Sequence, residues 1–198
     1  MEATLTSTPI RLTDAYERTL ERLVRTLESS DLETRGHSFR VTGMALRLAG
    51  ALGINGESLL NVRRGALLHD IGKLLIPDSI ISKAGALTEE EMAIVRLHPQ
   101  DAYNMLSEIG LPRQSLEIPY CHHEKWDGTG YPRGLKGEQI PLSARLFAVV
   151  DVFDAMTTSR SYRTAMPRED VILYLKYQKG RHFDPHIVDV FLKLIEAD

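Results

Sequence analysis

Apolar residues recur along this chain at three- and four-residue steps almost from end to end, the spacing of one face of an α-helix. Tyr16, Leu20, Leu23, Val24 and Leu27 form the first stripe, with Asp14, Glu17, Arg18, Glu21, Arg22 and Arg25 on the other faces. A second helix is predicted over about 36–52, with Val41, Met44, Ala45, Leu48 and Leu52 on one side and Gly53 at its end. A third covers about 57–71, and Gly72 has the position of a left-handed C-terminal cap. Thr88 and Glu91 have the spacing of a capping box that opens a helix ending at His98; Pro99 then starts another, which Gly110 closes. Residues 113–124 read as a shorter helix kinked at Pro119, and the glycines at 128, 130, 134 and 137 mark 125–140 as loop. A long helix is predicted at about 141–158, and two more at about 167–179 and 185–197, the last opened by Asp184-Pro185. Residues 74–82 could be extended, although Pro77 interrupts them. The pattern predicts an all-α bundle of eight or nine helices, with an N-terminal amphipathic helix or extension (1–30) leading into a compact domain (31–198).

Composition narrows the class. With 198 residues the chain can bury a single core, and 24 basic against 27 acidic residues leave a net charge of −3, which does not suit a DNA-coating protein. No apolar run approaches the roughly 18 residues that cross a bilayer. The start, MEATLTSTPIRLTD, lacks the basic-then-apolar order of a secretory signal. A single cysteine, Cys121, excludes an internal disulfide and a multi-thiolate zinc site, and reads as a small buried residue. A soluble, cytoplasmic protein is expected.

The histidines carry the chemistry. His69-Asp70 follows the apolar run Ala66-Leu67-Leu68, which places it at a core edge where an unpaired carboxylate is costly; a solvent-exposed helix end is the alternative. His122 and His123 are neighbours, and neighbours on a helix point about 100° apart. One metal centre could take both only at a distorted helix end, a cluster could use one on each ion, and a helix-terminal cap needs no metal at all. Asp151 interrupts the apolar stretch LFAVVDVFDAM and wants a cation, either a metal or an arginine such as Arg160 or Arg163. Asp154, on the same face, is placed to orient a ligand histidine. Glu33 and His37 share a face if their helix begins before Gly36, and His98 before Pro99 completes the set. Each element alone fits a structural role; together, imidazoles and carboxylates on core-facing helix ends suit iron or manganese, with zinc as an alternative. A carboxylate such as Asp70 can bridge two ions, and ions about 3.5–4 Å apart are typical of phosphoester hydrolysis.

HDIGK at 69–73 and HHEKWDGTGYPRGLKG at 122–137 resemble an HD-GYP domain, a branch of the HD phosphohydrolase superfamily. The resemblance runs from about 31 to 191 and takes in Glu33, His37-Ser38, Arg40-Val41, His98-Pro99, Ile140-Pro141-Leu142, Arg145, Asp151-Val152, Asp154-Ala155, Arg160, Tyr162-Arg163 and Phe183-Asp184-Pro185. It implies an HD-domain helical bundle that hydrolyses cyclic di-GMP, a bacterial second messenger, to pGpG or on to GMP by attack of a metal-bridging hydroxide. The implied metal ligands are His37, His69, Asp70 as the bridge, His98, His122, His123 and Asp151, with Glu33 marking a third ion where one is held, hence two or three divalent ions. Lys73 is implied at the scissile phosphate, and Arg160 and Arg163 at phosphate or guanine. Gly130, Tyr131 and Pro132 form the GYP element, which shapes the pocket lip or presents a surface to diguanylate cyclase domains. Ser161 stands where the family often has proline, which loosens the Arg160–Arg163 turn. Other readings are a phosphodiesterase for another cyclic or a linear dinucleotide, and a sensor or cyclase-binding module whose metal serves structure; the intact ligand set argues against the last. The stripe of the first helix suits packing on its own core or a homodimer coiled coil.

Overall fold

The apolar stripes fold as helices. The computed structural model describes residues 12–30, 36–83, 85–159 and 164–196. Along them run α1 (Leu12–Ser30), α2 (His37–Ala51), α3 (Gly56–Leu67), α4 (Asp78–Ile81), α5 (Glu89–Val95), α6 (His98–Glu108), α7 (Glu117–Cys121), α8 (Leu142–Thr157), α9 (Arg168–Tyr177) and α10 (Pro185–Glu196). Single 3-10 turns occupy Ile71–Leu75, Arg113–Leu116 and Gly137–Gln139. Eight of these α-helices have seven residues or more, and the only β pairing among the described residues is one bridge between Lys179 and Phe183. The expected all-α bundle holds. Among the described residues no helix is long and apolar enough to cross a membrane.

Several ends are set by the residues that mark them in the sequence. Gly53 (φ 81°) and Gly110 (φ 73°) follow α2 and α6 in the left-handed region. Thr88 Oγ1 accepts from the Glu91 amide at 3.2 Å while the Thr88 amide donates to Glu91 Oε2 at 2.8 Å, a complete capping box at α5. Asp184 caps α10 by accepting from the His186 amide at 2.9 Å, and its other oxygen accepts from Arg145 Nη1 at 2.6 Å, which ties α10 to α8.

Two expectations are corrected. Gly72 is no left-handed cap: α3 already ends at Leu67, and Gly72 is absent from the positive-φ glycines. It lies in the 3-10 turn pressed against α6, where a Cβ would stand 2.0 Å from the His98 carbonyl oxygen and 2.7 Å from the Ala102 nitrogen. Close backbone approach, not chain reversal, demands glycine there. Residues 74–82 are not extended either; the 3-10 turn runs through Leu75, and Pro77 precedes α4, a place where its missing N–H removes no helical bond.

Two apolar clusters meet at the future site. In the larger, Leu146, Phe147, Val149 and Val150 of the nearly all-apolar α8 pack against α2, α7, α9 and α10. The second joins Leu20 and Val24 of α1 to Leu67, Leu68 and Ile71, and to Ala102 and Leu106 of α6. Glu17 of α1 pairs with Arg63 and Arg64 of α3, and Glu21 with Arg63. His69 sits at the junction, following Leu68 of the second cluster and packing its ring on Phe147 of the first at 4.8 Å.

Cys121 belongs to a small cluster with Ile140 and Ala144 and is 2% exposed. Burial, aided by the nearby Glu124 charge, pushes its thiol up to about 12. Iodoacetamide at about pH 8 is therefore expected to leave Cys121 unmodified in the native protein and to alkylate it only in denaturant, as read by mass spectrometry. Rapid alkylation of folded protein would contradict this burial.

Candidate metal centre

Three histidines are placed by one local device. His69 follows the end of α3, His98 follows the end of α5, and His122 follows α7. Each turns Nδ1 back to carbonyls of the helix just ended: His69 to Ala66 at 2.9 Å, His98 to Val95 at 2.7 Å, and His122 to Ile118 and Pro119 at 3.1 Å each. The last carbonyls of a helix lack intrahelical donors, so these rings satisfy them. A carbonyl can only accept; Nδ1 therefore carries the proton, and Nε2 presents its lone pair.

Asp70 lies among those lone pairs. Its Oδ2 is 3.2 Å from His69 Nε2 and accepts from Lys73 Nζ at 2.6 Å. Its Oδ1 is 3.4 Å from His98 Nε2 and 3.8 Å from His122 Nε2, two nitrogens that stand 3.3 Å apart. The potential ligands thus form two groups, His37 with His69 and Asp70, and His98 with His122 and His123, each with its ligand atoms within 4.8 Å of one another. His122 and His123 both join one group because α7 has ended at Cys121, so they occupy the distorted helix end that shared ligation requires.

His37 opens α2 and is held from α8. Its Nδ1 is 2.7 Å from Asp154 Oδ2, and its Nε2 is 3.2 Å from Asp151 Oδ1. Asp154 also accepts from Arg40 Nε at 2.7 Å and Nη2 at 2.9 Å, which fixes the carboxylate that orients His37. On the opposite side, Tyr131 stacks on His123 with centroids 4.8 Å apart and 23° between planes, and its amide donates to the His123 carbonyl at 3.1 Å. Gly130 admits no side chain there, since a Cβ would lie 2.3 Å from the Lys125 nitrogen. The buried Glu124 carboxylate accepts from the amides of Arg133 at 2.8 Å and Leu135 at 3.0 Å, clamping the loop onto the histidine pair.

The charge states suit a cation. Burial lowers His98, His122 and His123 below the ordinary imidazole range, His123 to about 3, so all three are neutral. Burial would raise Asp70 and Asp151, yet both are lowered, Asp70 chiefly by Lys73 and His69 and Asp151 by the hydrogen bond from His37. Burial would also lower His37, but Asp151 and Asp154 overcome it and raise its pKa to about 9. The proton this places between His37 and Asp151 is one that a divalent ion would displace. Neutral imidazoles and ionised carboxylates, without thiolate, fit a divalent metal.

Of the residues singled out in the sequence, His37, His69, Asp70, His98, His122, His123 and Asp151 come together, with Lys73 and Tyr131 beside them. Glu33, Arg160 and Arg163 lie outside the described residues. α2 begins at His37, directly after Gly36 at φ 74°. Sequence reasoning gave no role to Arg40, Glu28 or Glu124. Arg40 had a signal, one helical turn from His37; the two glutamates act on main-chain amides, which no residue pattern announces. A cavity of about 520 Å³ opens beside the centre, lined by His37, Asp70 and Lys73 among its polar residues and by Val24, Ile71 and Ile81 among its apolar ones. Such a volume suits a nucleotide-sized ligand.

The chain matches the HD domain family over residues 10–187. It is 40% identical over 197 residues to the cyclic di-GMP phosphodiesterase response regulator RpfG of Xanthomonas campestris pv. campestris (strain 8004), an alignment covering 98% of this chain and 52% of that protein. It is 38% identical over 186 residues to 3'3'-cGAMP-specific phosphodiesterase 2 of Vibrio cholerae, covering 93% of this chain and 36% of that protein. The chain thus spans about half or less of these relatives' length. The solved structure of Bd1817, an HDG"Y"P protein from Bdellovibrio bacteriovorus, shares the fold with a TM-score of 0.69 and 19% identity over 92% of this chain and 63% of that one.

Proposed function

We propose, from the premise that this chain belongs to the HD domain family, that it is a metal-dependent phosphodiesterase that hydrolyses cyclic di-GMP to pGpG or on to GMP. The observation that carries this reading is Asp70, which turns one oxygen to His69 and the other to His98 and His122. The relative RpfG, named as a cyclic di-GMP phosphodiesterase, supports the substrate.

His37, His69, Asp151 and one oxygen of Asp70 would hold one ion, and His98, His122, His123 and the other oxygen a second. An ion pair of this kind supplies Lewis acidity toward phosphate oxygens and a water of lowered pKa. The chain's own groups do the rest. The Nδ1 bonds to main-chain carbonyls fix the imidazoles before substrate arrives, so no reorganisation is needed during the reaction. Lys73 Nζ, beside Asp70 and on the cavity wall, binds a non-bridging phosphate oxygen and offsets its growing negative charge. Tyr131 keeps the His123 ring in place through its stacked face. Iron or manganese suits an imidazole and carboxylate set, and Glu33 is the residue whose removal would distinguish three ions from two.

Anaerobically purified, manganese- or iron-loaded full chain is expected to convert cyclic di-GMP to pGpG or GMP, with a higher kcat/KM than for 3'3'-cGAMP, as followed by chromatography. Lys73→Met should lower kcat by roughly 100-fold while ion occupancy stays at the wild-type value. A preference for 3'3'-cGAMP would move the substrate to that of the Vibrio cholerae relative. Two bound ions with no turnover of any cyclic dinucleotide would overturn the enzyme reading.

A further inference from the structure

Helix α2 starts without a cap of its own. The residue before it is Gly36, no side chain of its own caps it, and its first turn holds no acid. A helix start leaves amides unpaired, and two are taken here by a carboxylate from another helix. Glu28 of α1, only 8% exposed, accepts from the Gly36 amide through Oε2 at 2.9 Å and from the Ser38 amide through Oε1 at 2.8 Å. The residue between those two amides is His37. Its backbone is therefore gripped on both sides by Glu28, while its ring is held by Asp154 and Asp151.

The same helix braces the other half of that ligand group. Leu20 and Val24 of α1 pack with Leu67, Leu68 and Ile71, the residues flanking His69 and Asp70. Glu17 Oε1 accepts from Arg64 Nε at 2.7 Å, which anchors α1 to the helix that delivers them. α1 thus touches both segments that bring His37, His69 and Asp70 together.

We propose that Glu28 is a positioning residue of the metal centre: by capping α2 from α1 it sets His37 for ligation, so that the docking of α1 governs metal affinity on the His37 side of Asp70. This rests on the metal-binding reading above. Without the Glu28 carboxylate, two amides lose their partner and the first turn of α2, where His37 sits, frays. The other ligand group, His98, His122 and His123, receives none of these bonds and keeps its affinity. A segment ahead of α1 that pulled it from this seat would weaken one ion without touching a ligand.

The test is calorimetric titration of metal-depleted full chain with Mn²⁺ for wild type, Glu28→Ala and Glu28→Gln, with folding checked by circular dichroism. Wild type should take up an ion at each of the two ligand groups. Glu28→Ala should weaken one of them by about 10–100-fold, as loss of an orienting partner does, and leave the other unchanged. Glu28→Gln, which keeps one accepting oxygen, should fall between and serves alone if the alanine variant fails to fold. In a His37→Ala background the Glu28 change should add no further loss, because its effect passes through His37. Wild-type affinity for both ions in both Glu28 variants overturns the proposal. So does equal weakening of both ions, or full additivity with His37→Ala, either of which assigns Glu28 to general stability. A wild-type chain that takes up no Mn²⁺ overturns the metal reading as well, which separates the two failures.

Discussion

Asp70→Ala should leave a helical protein that no longer holds a metal pair and that hydrolyses cyclic di-GMP at least about 10³-fold more slowly, a loss of roughly 4 kcal/mol in transition-state stabilisation. Among the described residues, Asp70 is the only carboxylate whose two oxygens reach toward both histidine groups, at 3.2 Å from His69 and 3.4 Å from His98. Its removal deletes a ligand from each at once, where loss of any histidine affects one group. The fold should survive because Asp70 is half-buried and its hydrogen-bonding partner Lys73 reaches solvent, so no charge is stranded in the core. Metal content by mass spectrometry, kcat/KM and circular dichroism on one preparation check all three statements. Asp70→Asn, which keeps shape but not charge, should retain one ion at most. Two ions or wild-type turnover in Asp70→Ala would contradict the bridging role.

Gly72→Ala should be the most damaging of the glycine-to-alanine changes, since its Cβ would meet the closest main-chain atom. The added Cβ would meet the His98 carbonyl oxygen at 2.0 Å and the Ala102 nitrogen at 2.7 Å, both main-chain atoms that cannot rotate aside. Relief requires the 3-10 turn carrying Lys73, together with the adjoining Asp70, to move off α6, which carries His98. Overpacking of this severity costs about 3 kcal/mol or more, which for a chain of this size lowers Tm by roughly 6–12 °C. Separation of Asp70 from His98 should also remove one ion. Gly43→Ala is the control: a Cβ there meets nothing within 4 Å, in the middle of α2. Replacing an interior helical glycine should raise stability by about 0.5–1 kcal/mol. A Tm for Gly72→Ala within about 2 °C of wild type, with both ions bound, would show that the contact relaxes locally.

The helices were legible because each buries one stripe, and residues such as Val41, Ala45 and Leu48 of α2 recur at four- and three-residue steps. Gly72 misled because a glycine after an apolar run signals a left-handed cap, whereas close approach to α6 depends on a partner almost thirty residues away. The apolar run at Leu74-Leu75 and Ile80-Ile81 suggested an extended segment, yet Leu74, Leu75 and Ile81 are exposed and only Ile76 and Ile80 turn inward. At the site, the residue types were readable because imidazoles and acids at helix ends, each explicable alone by a structural role, together suit a metal. Asp154, one turn from Asp151, reads in the sequence as a group that orients a ligand histidine, and its Oδ2 lies 2.7 Å from His37 Nδ1. What fixes the rings was not readable. The carbonyls of Ala66, Val95, Ile118 and Pro119 belong to the main chain, and any residue could supply them. Glu28 and Glu124 escape the sequence for the same reason, each spending both carboxylate oxygens on amides.

The bridging geometry of Asp70 is tested most directly by crystallography of the metal-loaded full chain with anomalous scattering recorded at the absorption edge of the bound metal. Two peaks are expected about 3.5–4 Å apart, one bounded by His37, His69 and Asp151, the other by His98, His122 and His123, with an oxygen of Asp70 on each. Peaks away from Asp70, or a single ion that leaves one histidine group without metal under saturating manganese or iron, would contradict it.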